Sequence, residues 1–348
     1  MSYNFYPGPS AVYPEIKNYL TDAYEEGILS IQHRSPRFIE ISRSVQELLR
    51  EKLNVPDGYQ TFYISSSTEG WEIVNQAYPK ANSYHFFNGA FGEKWMQYRK
   101  VLYPKTTHSI PFEINELPPL EKVIPSGESN IFCFTQNETA TATQVPMKTL
   151  RALRTTYPDS LIAVDVASSF GGISLDWKLA DLWFASSQKC LGMPAGLGLL
   201  VVSPRAVERS LRTGRYNDLK FMAEKMQNFQ TTYTPNVLGL YLLNRLLEQL
   251  PLIKDTDQRI KEQAQDWYSF LEKQGYDLLI KNPDVRSDTV IAVQDIPERI
   301  TEIKKQASEA GLILGNGYGR WAKNTFRIAN FPAIPFEGIK KLREFLKT

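Results

Sequence analysis

Two residues in the middle of the chain, Lys189 and Asp165, have the side chains and the positions for covalent chemistry. Lys189 follows the largely apolar stretch 181–187 and precedes the glycine-rich stretch 192–198. A buried amine is disfavoured in its charged form, so its pKa falls and it becomes a better nucleophile. A lysine placed in this way can form a Schiff base with a carbonyl compound.

Asp165 lies near the end of the run 161–166, whose apolar residues are typical of a buried parallel strand. A lysine and an aspartate at neighbouring strand ends are the pair that pyridoxal 5'-phosphate requires. The amine holds the aldehyde carbon, and the carboxylate keeps the pyridine nitrogen protonated so that the ring accepts electrons. The pair therefore predicts a pyridoxal phosphate site.

Composition narrows the function classes. The 348 residues include 40 basic and 38 acidic side chains, and this net charge of +2 does not favour binding to nucleic acid or to an anionic membrane. We find no apolar run of the roughly 18–20 residues that a membrane span needs, and the N-terminus lacks a signal-peptide pattern. We expect a cytoplasmic protein. The two cysteines and three histidines are widely spaced, which predicts neither a disulfide nor a metal site.

The pattern of apolar segments predicts an α/β fold with a mostly parallel sheet and helices on both faces. The predicted strands are 60–64, 82–87, 129–135, 161–166, 182–185 and 197–202. We divide the chain into an irregular N-terminal arm (1–14), a large cofactor-binding domain (15–244) and a smaller α+β domain (245–348). Ligands in such sheets lie beyond the carboxyl ends of the strands, where the polar turns of this chain fall.

Two of these turns could contact a cofactor. The turn 65–70 contains Ser67 and Thr68 before a predicted helix, and a helix N-terminus with small residues stabilises a phosphate. Simple capping of the helix by a hydroxyl is the alternative. Phe91 follows another strand end, where its ring could stack on a cofactor or belong to the core.

Three further segments contain cationic residues or glycines that could belong to a binding site. Arg327 lies within an apolar strand, where it either clamps a substrate carboxylate or forms a structural ion pair. His33 and Arg34 lie in a proline-broken loop that would suit a dianionic group or could be solvated surface. The glycine-rich stretch 312–319 lacks the following helix of a dinucleotide site and is interpreted as a bend.

Over nearly its whole length the sequence resembles the fold-type I, pyridoxal-phosphate-dependent aminotransferases of class V, and among them the phosphoserine aminotransferases. The order and spacing of several short motifs carry this resemblance. They are 4–9 (NFYPGP), 33–34 with Phe38, 66–69 (SSTE), 88–92 (NGAFG), 137–139 (NET), Asp165 with 168–169 (SS), 188–189 (QK), 194–197 (PAGL), 234–235 (TP) and 326–328 (FRI).

The resemblance implies a role for each matching residue. Lys189 would form the Schiff base and move the substrate Cα proton, Asp165 would pair with the pyridine nitrogen, and Phe91 would stack on the ring. The remaining roles are phosphate binding by Ser67, Thr68 and Gln188, contact with the ring hydroxyl by Thr139, contact with the phosphate of the partner subunit in a homodimer by Thr234, binding of the α-carboxylate by Arg327, and binding of a distal phosphate or carboxylate by His33, Arg34 and Arg320.

The implied reaction is transamination between L-glutamate and 3-phosphohydroxypyruvate, giving 2-oxoglutarate and O-phospho-L-serine for serine biosynthesis. Three positions depart from the pattern common in phosphoserine aminotransferases: Thr68 replaces arginine, Arg320 replaces histidine, and Tyr233 replaces asparagine. Alanine–glyoxylate and serine–pyruvate aminotransferases therefore remain alternatives, as do a lyase or desulfurase of the same fold. A catalytically inactive regulator is the alternative that is not an enzyme, and the presence of both Lys189 and Asp165 argues against it.

Overall fold

The computed structural model describes residues 2–127 and 129–347, and within these ranges it contains two β-sheets, a two-stranded ribbon and eleven α-helices. The strands are β1 (Tyr3–Phe5), β2 (Gln60–Ile64), β3 (Asn82–Phe87), β4 (Thr107–Pro111), β5 (Asn130–Thr135), β6 (Asn137–Glu138), β7 (Thr143–Gln144), β8 (Leu161–Asp165), β9 (Leu182–Ser186), β10 (Gly198–Val202), β11 (Asp277–Leu278), β12 (Val290–Gln294), β13 (Leu312–Asn316) and β14 (Thr325–Ala329). The helices are α1 (Ile16–Glu25), α2 (Pro36–Leu53), α3 (Ser67–Ala77), α4 (Ala90–Leu102), α5 (Met147–Thr156), α6 (Pro204–Arg209), α7 (Leu219–Met226), α8 (Val237–Gln249), α9 (Ile253–Lys273), α10 (Pro297–Glu309) and α11 (Phe336–Phe345).

The larger sheet has the strand order β2-β10-β9-β8-β5-β3-β4. Its strands run in one direction except β10, which is antiparallel to both of its neighbours. The prediction of a mostly parallel sheet is confirmed, and the six predicted strands coincide with observed ones. The sequence analysis missed β4, an edge strand whose alternation of buried and exposed residues is too irregular to stand out.

The carboxyl ends of the parallel strands place the predicted site residues at one edge of this sheet. Asp165 is the last residue of β8, and Lys189 follows β9 by three residues. The turn to α3 follows β2, and the loop leading to Phe91 follows β3. One sheet edge therefore gathers residues that are far apart in the sequence.

The smaller sheet has the strand order β1-β13-β14-β12-β11. Its edge strand β1 comes from the N-terminal segment, which we had expected to be irregular, and it pairs in parallel with β13. Phe5 explains the difference because its side chain is completely buried in the core of the smaller sheet.

Two apolar cores accompany the two sheets. The first surrounds the larger sheet and continues along the chain as far as Ile253, whereas the second fills the space between the smaller sheet and the C-terminal helices. The domain boundaries proposed above stay predictions. In the described part of the chain, none of the helices has both the length and the apolar character required to cross a membrane.

Candidate active site

A cavity of about 190 Å³ opens at the carboxyl edge of the larger sheet. It brings together most of the residues predicted to hold a cofactor, and these lining residues are Ser67, Thr68, Phe91, Thr139, Asp165, Gln188 and Lys189. They come from five different strand ends, so the fold is what assembles them.

Lys189 is buried, with 8% of its surface exposed. Its Nζ donates hydrogen bonds to Thr139 Oγ1 at 2.9 Å and to Ser168 Oγ at 2.8 Å. Burial lowers the pKa of Lys189, and the carboxylates of Asp165 and Glu138 oppose this shift. Two neutral hydroxyls therefore hold the amine in place, and its burial favours the uncharged, nucleophilic form.

The N-terminal segment covers the stem of this lysine. A Cβ atom at Gly8 would lie 2.8 Å from Lys189 Cε, and the φ of Gly8 is +137°. Ser10 N also donates to the carbonyl oxygen of Gln188 at 3.1 Å. Glycine at position 8 thus permits the chain to close over Lys189, a contact that the sequence analysis did not foresee.

Asp165 is buried and has a donor on each carboxylate oxygen. Trp71 Nε1 donates to Oδ2 at 2.9 Å, and the backbone N–H of Ala167 donates to Oδ1 at 2.8 Å. Burial raises the pKa of Asp165, while the N–H of Ala167, the Lys189 amine and the Trp71 indole oppose the rise. The sequence analysis missed Trp71, although its position one helical turn into α3 faces the same sheet edge.

The hydrogen bonds at the start of α3 show which residues of the turn 65–70 cap the helix and which could bind a phosphate. Ser66 is the N-cap and its hydroxyl accepts from Glu69 N at 3.2 Å, so simple capping does occur. Ser67 and Thr68 are left to line the cavity, and Ser67 is anchored to Ser186 through its N–H and its hydroxyl, each at 2.9 Å. The helix N-terminus is thus directed at the cavity, in the arrangement that stabilises a phosphate.

Phe91 is half-buried at the start of α4, with Lys189 Nζ 5.3 Å from its ring centroid. The first turn of α4 is fixed by Glu138, a buried carboxylate to which the sequence analysis gave no role. Glu138 accepts from Phe91 N at 3.1 Å, from Gly92 N at 3.0 Å and from Ala140 N at 2.9 Å. A Cβ atom at Gly89 would overlap the Glu138 side chain, so glycine is required there.

Arg327 is 3% exposed at the centre of β14. Its Nε donates to the carbonyl oxygen of Asn316 and its Nη1 to that of Thr139, both at 2.6 Å. Among residues 2–127 and 129–347, no carboxylate lies within 4.0 Å of the guanidinium, which rules out the structural ion pair within this part of the chain. Burial lowers the pKa of Arg327. A buried cation held only by carbonyls has donors left for an anion.

Tyr318 connects several of these groups and was missed because we interpreted its stretch as a bend. A 3₁₀ turn does follow β13 there, at Gly319–Trp321. The ring of Tyr318 stacks on Phe91 with centroids 5.3 Å apart, and Arg327 Cζ lies 5.8 Å from its centroid. Its hydroxyl accepts from Lys94 Nζ at 2.8 Å. An aromatic residue two positions after a strand end was the signal that could have identified it.

The 190 Å³ cavity of the single chain is not lined by the residues predicted to bind a distal anion, nor by Thr234, which is predicted to contact the cofactor phosphate of the partner subunit. Thr234 is exposed and its hydroxyl lies 3.3 Å from His33 Nδ1, while Arg34 is exposed beside them. Arg320 lines a separate cavity of about 300 Å³, 4.0 Å from Glu113 and stacked on Trp321. The structure therefore assembles the cofactor set and leaves these residues near the surface.

Comparison of the sequence with known proteins gives matches to one enzyme family. The family model for class-V aminotransferases matches residues 105–313, more than half of the chain. A phosphoserine aminotransferase of Nocardioides is 27% identical over 323 residues, covering 88% of this chain and 84% of the relative. One from Corynebacterium glutamicum is 24% identical and covers 96% and 91%.

Solved structures are similar over the full length. A phosphoserine aminotransferase from Cytophaga hutchinsonii superimposes with a TM-score of 0.92 at 29% identity, covering 99% of this chain and 98% of that one. An alanine–glyoxylate aminotransferase from Nostoc has a TM-score of 0.85 at 20% identity, covering 100% and 95%, and this likeness concerns the fold. The chain belongs to the class-V aminotransferases, which are pyridoxal-phosphate-dependent enzymes of fold type I.

Proposed function

We propose that the protein is a phosphoserine aminotransferase, which exchanges the amino group between L-glutamate and 3-phosphohydroxypyruvate in serine biosynthesis. One observation carries the proposal: a buried arginine without a carboxylate partner in the described residues, Arg327, is hydrogen-bonded to Thr139, the same residue that holds the buried amine of Lys189 in the cavity. This pairing suits an α-amino acid, whose carboxylate and amine must be held together. The names of the relatives support phosphoserine as the substrate.

The donor set of the cavity fits pyridoxal phosphate. Asp165 would pair with the ring nitrogen, the ring of Phe91 would stack on the pyridine face, and Thr139 would contact the ring oxygen. Ser67, Thr68 and Gln188 would hold the phosphate at the N-terminus of α3. When bound, the cofactor supplies an electron sink for the substrate Cα.

Lys189 performs two tasks in this proposal. Its neutral amine would be the nucleophile that holds the cofactor, and the same amine would accept and return the proton of the substrate Cα. The hydroxyls of Thr139 and Ser168 hold Nζ in place. Because the amine is buried, the proton that it carries is shielded from water.

Arg327 holds the substrate α-carboxylate. A guanidinium has five N–H donors, and the carbonyls of Asn316 and Thr139 each accept from one of them. These two bonds fix the plane of the fork, so the remaining donors can bind a carboxylate with little loss of conformational freedom. The carbonyl of Thr139 links this clamp to the hydroxyl that holds Lys189.

The distal phosphate, or the γ-carboxylate of glutamate, is assigned to His33, Arg34 and Arg320. We propose a homodimer in which Thr234 reaches the phosphate in the site of the partner subunit. The contact between Thr234 and His33 supports this, because one surface patch would then bring both residues to the partner's site together.

The test is an absorbance titration of the purified protein loaded with pyridoxal phosphate. O-phosphoserine, glutamate, alanine and serine are added separately, and conversion of the bound cofactor to its amine form is followed. We expect conversion by phosphoserine and glutamate, with alanine and serine inert at equal concentrations. If alanine or serine converted the cofactor and phosphoserine did not, the roles of His33, Arg34 and Arg320 would be contradicted. The assignments of Lys189, Asp165 and Arg327 would stay in place.

A further inference from the structure

Trp71 makes a contact with the cofactor cavity to which no role has been assigned. We propose that Trp71 is a positioning residue for the cofactor: its indole N–H holds the Asp165 carboxylate in the orientation and charge state that bind the pyridine nitrogen. This inference rests on the proposed placement of pyridoxal phosphate in the cavity. It does not depend on which amino acid is the substrate.

The two donors on Asp165 fix the carboxylate at both ends. Trp71 Nε1 is 2.9 Å from Oδ2, and the Ala167 N–H is 2.8 Å from Oδ1. With one donor on each oxygen, the plane of the carboxylate is set before any cofactor binds. An ionised carboxylate has about four lone-pair sites, so capacity remains for a pyridinium N–H. Trp71 itself lines the cavity together with Asp165.

The indole is held rigidly by its surroundings. Trp71 is 3% exposed and its ring is stacked on Trp95, with an interplanar angle of 10° and centroids 6.3 Å apart. The preceding residue, Gly70, allows α3 to approach the sheet, since a Cβ atom there would lie 3.0 Å from Phe184 Cβ. The N–H is therefore directed at Asp165 by packing, with little side-chain freedom left to lose on binding.

Other buried tryptophans in the chain show what a purely structural indole N–H does. Trp177 Nε1 donates to the carbonyl oxygen of Leu53 at 2.8 Å, and Trp183 Nε1 donates to that of Trp177 at 3.1 Å. Backbone carbonyls thus serve to satisfy these N–H groups. Trp71 instead donates to a carboxylate that faces the cavity, and a hydrogen bond to an ionised group is roughly twice as strong as a neutral one.

The charge of Asp165 depends on this donor. Burial raises the pKa of Asp165, and the Trp71 hydrogen bond opposes the rise. The charged groups near Asp165 are Lys189, which also favours the carboxylate, and Glu138, whose like charge disfavours it. Without the indole N–H the carboxylate would protonate at a higher pH, and its attraction for a pyridinium would then be lost.

The test compares Trp71→Phe with Trp95→Phe by titrating apoprotein with pyridoxal phosphate. Both variants exchange one indole of the stacked pair for a phenyl ring, but only the first removes a hydrogen bond, because Trp95 Nε1 has no partner within residues 2–127 and 129–347. We expect the Kd to rise about tenfold in Trp71→Phe relative to Trp95→Phe. We also expect the pH below which affinity for pyridoxal phosphate falls, the acid limb of the affinity profile, to rise only in Trp71→Phe. Equal affinities and equal acid limbs in the two variants would overturn the proposal.

If Trp71→Phe does not fold, Trp71→His is compared with Trp95→His, because an imidazole retains a ring N–H donor. The proposal expects the two histidine variants to bind pyridoxal phosphate with similar affinity, and a tenfold weaker Kd for Trp71→His would overturn it. The titration contains no amino acid, so a wrong substrate assignment leaves it unaffected. Failure of wild-type apoprotein to bind the cofactor would instead contradict the proposed site itself.

Discussion

The cofactor cavity and the distal cationic residues differ in how completely a single chain organises them. Lys189 and Asp165 in the cavity, and Arg327 behind Thr139, are buried, and every one of them has at least two hydrogen-bond partners in the protein. Outside it, Arg34 and Arg320 are exposed, and the only ion pair of Arg320 within the described residues is a 4.0 Å contact with Glu113.

This difference follows from the energetics of burial. A buried charge without partners is strongly destabilising, so folding itself must supply the partners of Lys189, Asp165 and Arg327. An exposed arginine is hydrated at little cost and can remain without a protein partner until its ligand binds. The partners of these three buried residues are therefore built into the fold, whereas the arginines proposed to bind the distal charge of the substrate are left exposed.

Lys189→Ala tests the buried region most severely. Nucleophile and proton carrier are lost together, and we expect transamination to fall by more than about 10³-fold. Steady-state assays with the proposed substrates measure the effect, with circular dichroism to verify folding. Lys178→Ala, an exposed lysine eleven residues earlier in the chain, is the control and should retain full activity. Substantial turnover by Lys189→Ala would remove the basis of the cofactor assignment.

Arg327→Lys tests whether the geometry of the buried cation matters beyond its charge. Lysine keeps the charge but cannot span the carbonyls of Asn316 and Thr139 while binding a carboxylate at two points. We expect kcat/KM to fall about 10- to 100-fold for every amino acid substrate, since all share the α-carboxylate. The matched Arg320→Lys exchange should change kcat/KM far less, and a reversed order would mean that the clamp is misassigned.

The same contrast explains what the sequence could predict. Strands such as 60–64 and 161–166 were located from their apolar runs, because burial on both faces leaves a continuous signal. Lys189, Asp165 and Arg327 stood out because charged residues in apolar surroundings require a reason. The resemblance to class-V aminotransferases added Gln188 and Thr139, which residue patterns alone did not distinguish from ordinary loop residues.

The residues that were missed act through tertiary contacts. Trp71 and Glu138 look like ordinary helix and loop residues until α3 and α4 are placed on the sheet, where they contact Asp165 and Phe91. Tyr318 lies in the loop that follows β13 of the other sheet, and it reaches Phe91 only in the folded molecule. Strand β1 escaped prediction for the same reason, because three residues at a sheet edge carry almost no local pattern.

Arg34→Ala tests the exposed region. If Arg34 contacts the distal anion, KM for O-phosphoserine should rise about fivefold, within the range of an exposed ionic contact. The effect should shrink as salt is added, because exposed charges are screened. Any weak turnover of alanine or serine, measured at concentrations far above those of phosphoserine, should not respond to Arg34→Ala.

The control for this change lies in the same segment. Arg37 is also exposed, but it is paired with Glu26 at 2.9 Å and with Glu40 at 3.2 Å, so Arg37→Ala should leave KM for phosphoserine unchanged. An equal increase in KM in both variants would indicate a general loss of positive potential, and Arg34 would then have no specific role.

Tyr318→Phe probes the point where the two regions meet, and we expect the smallest effect here. The change removes the hydroxyl that accepts from Lys94 and keeps the ring that stacks on Phe91 and lies near Arg327. Loss of one partly exposed hydrogen bond should lower kcat/KM about threefold.

Tyr98→Phe, a hydroxyl loss on the same helix as Lys94, is the control. If the threefold loss occurs equally with phosphoserine and with a neutral amino acid, Tyr318 only supports Phe91 and Arg327. If it occurs with phosphoserine alone, the Lys94 ammonium, no longer hydrogen-bonded to Tyr318, changes how the distal phosphate binds. The buried and exposed regions are then coupled through this tyrosine.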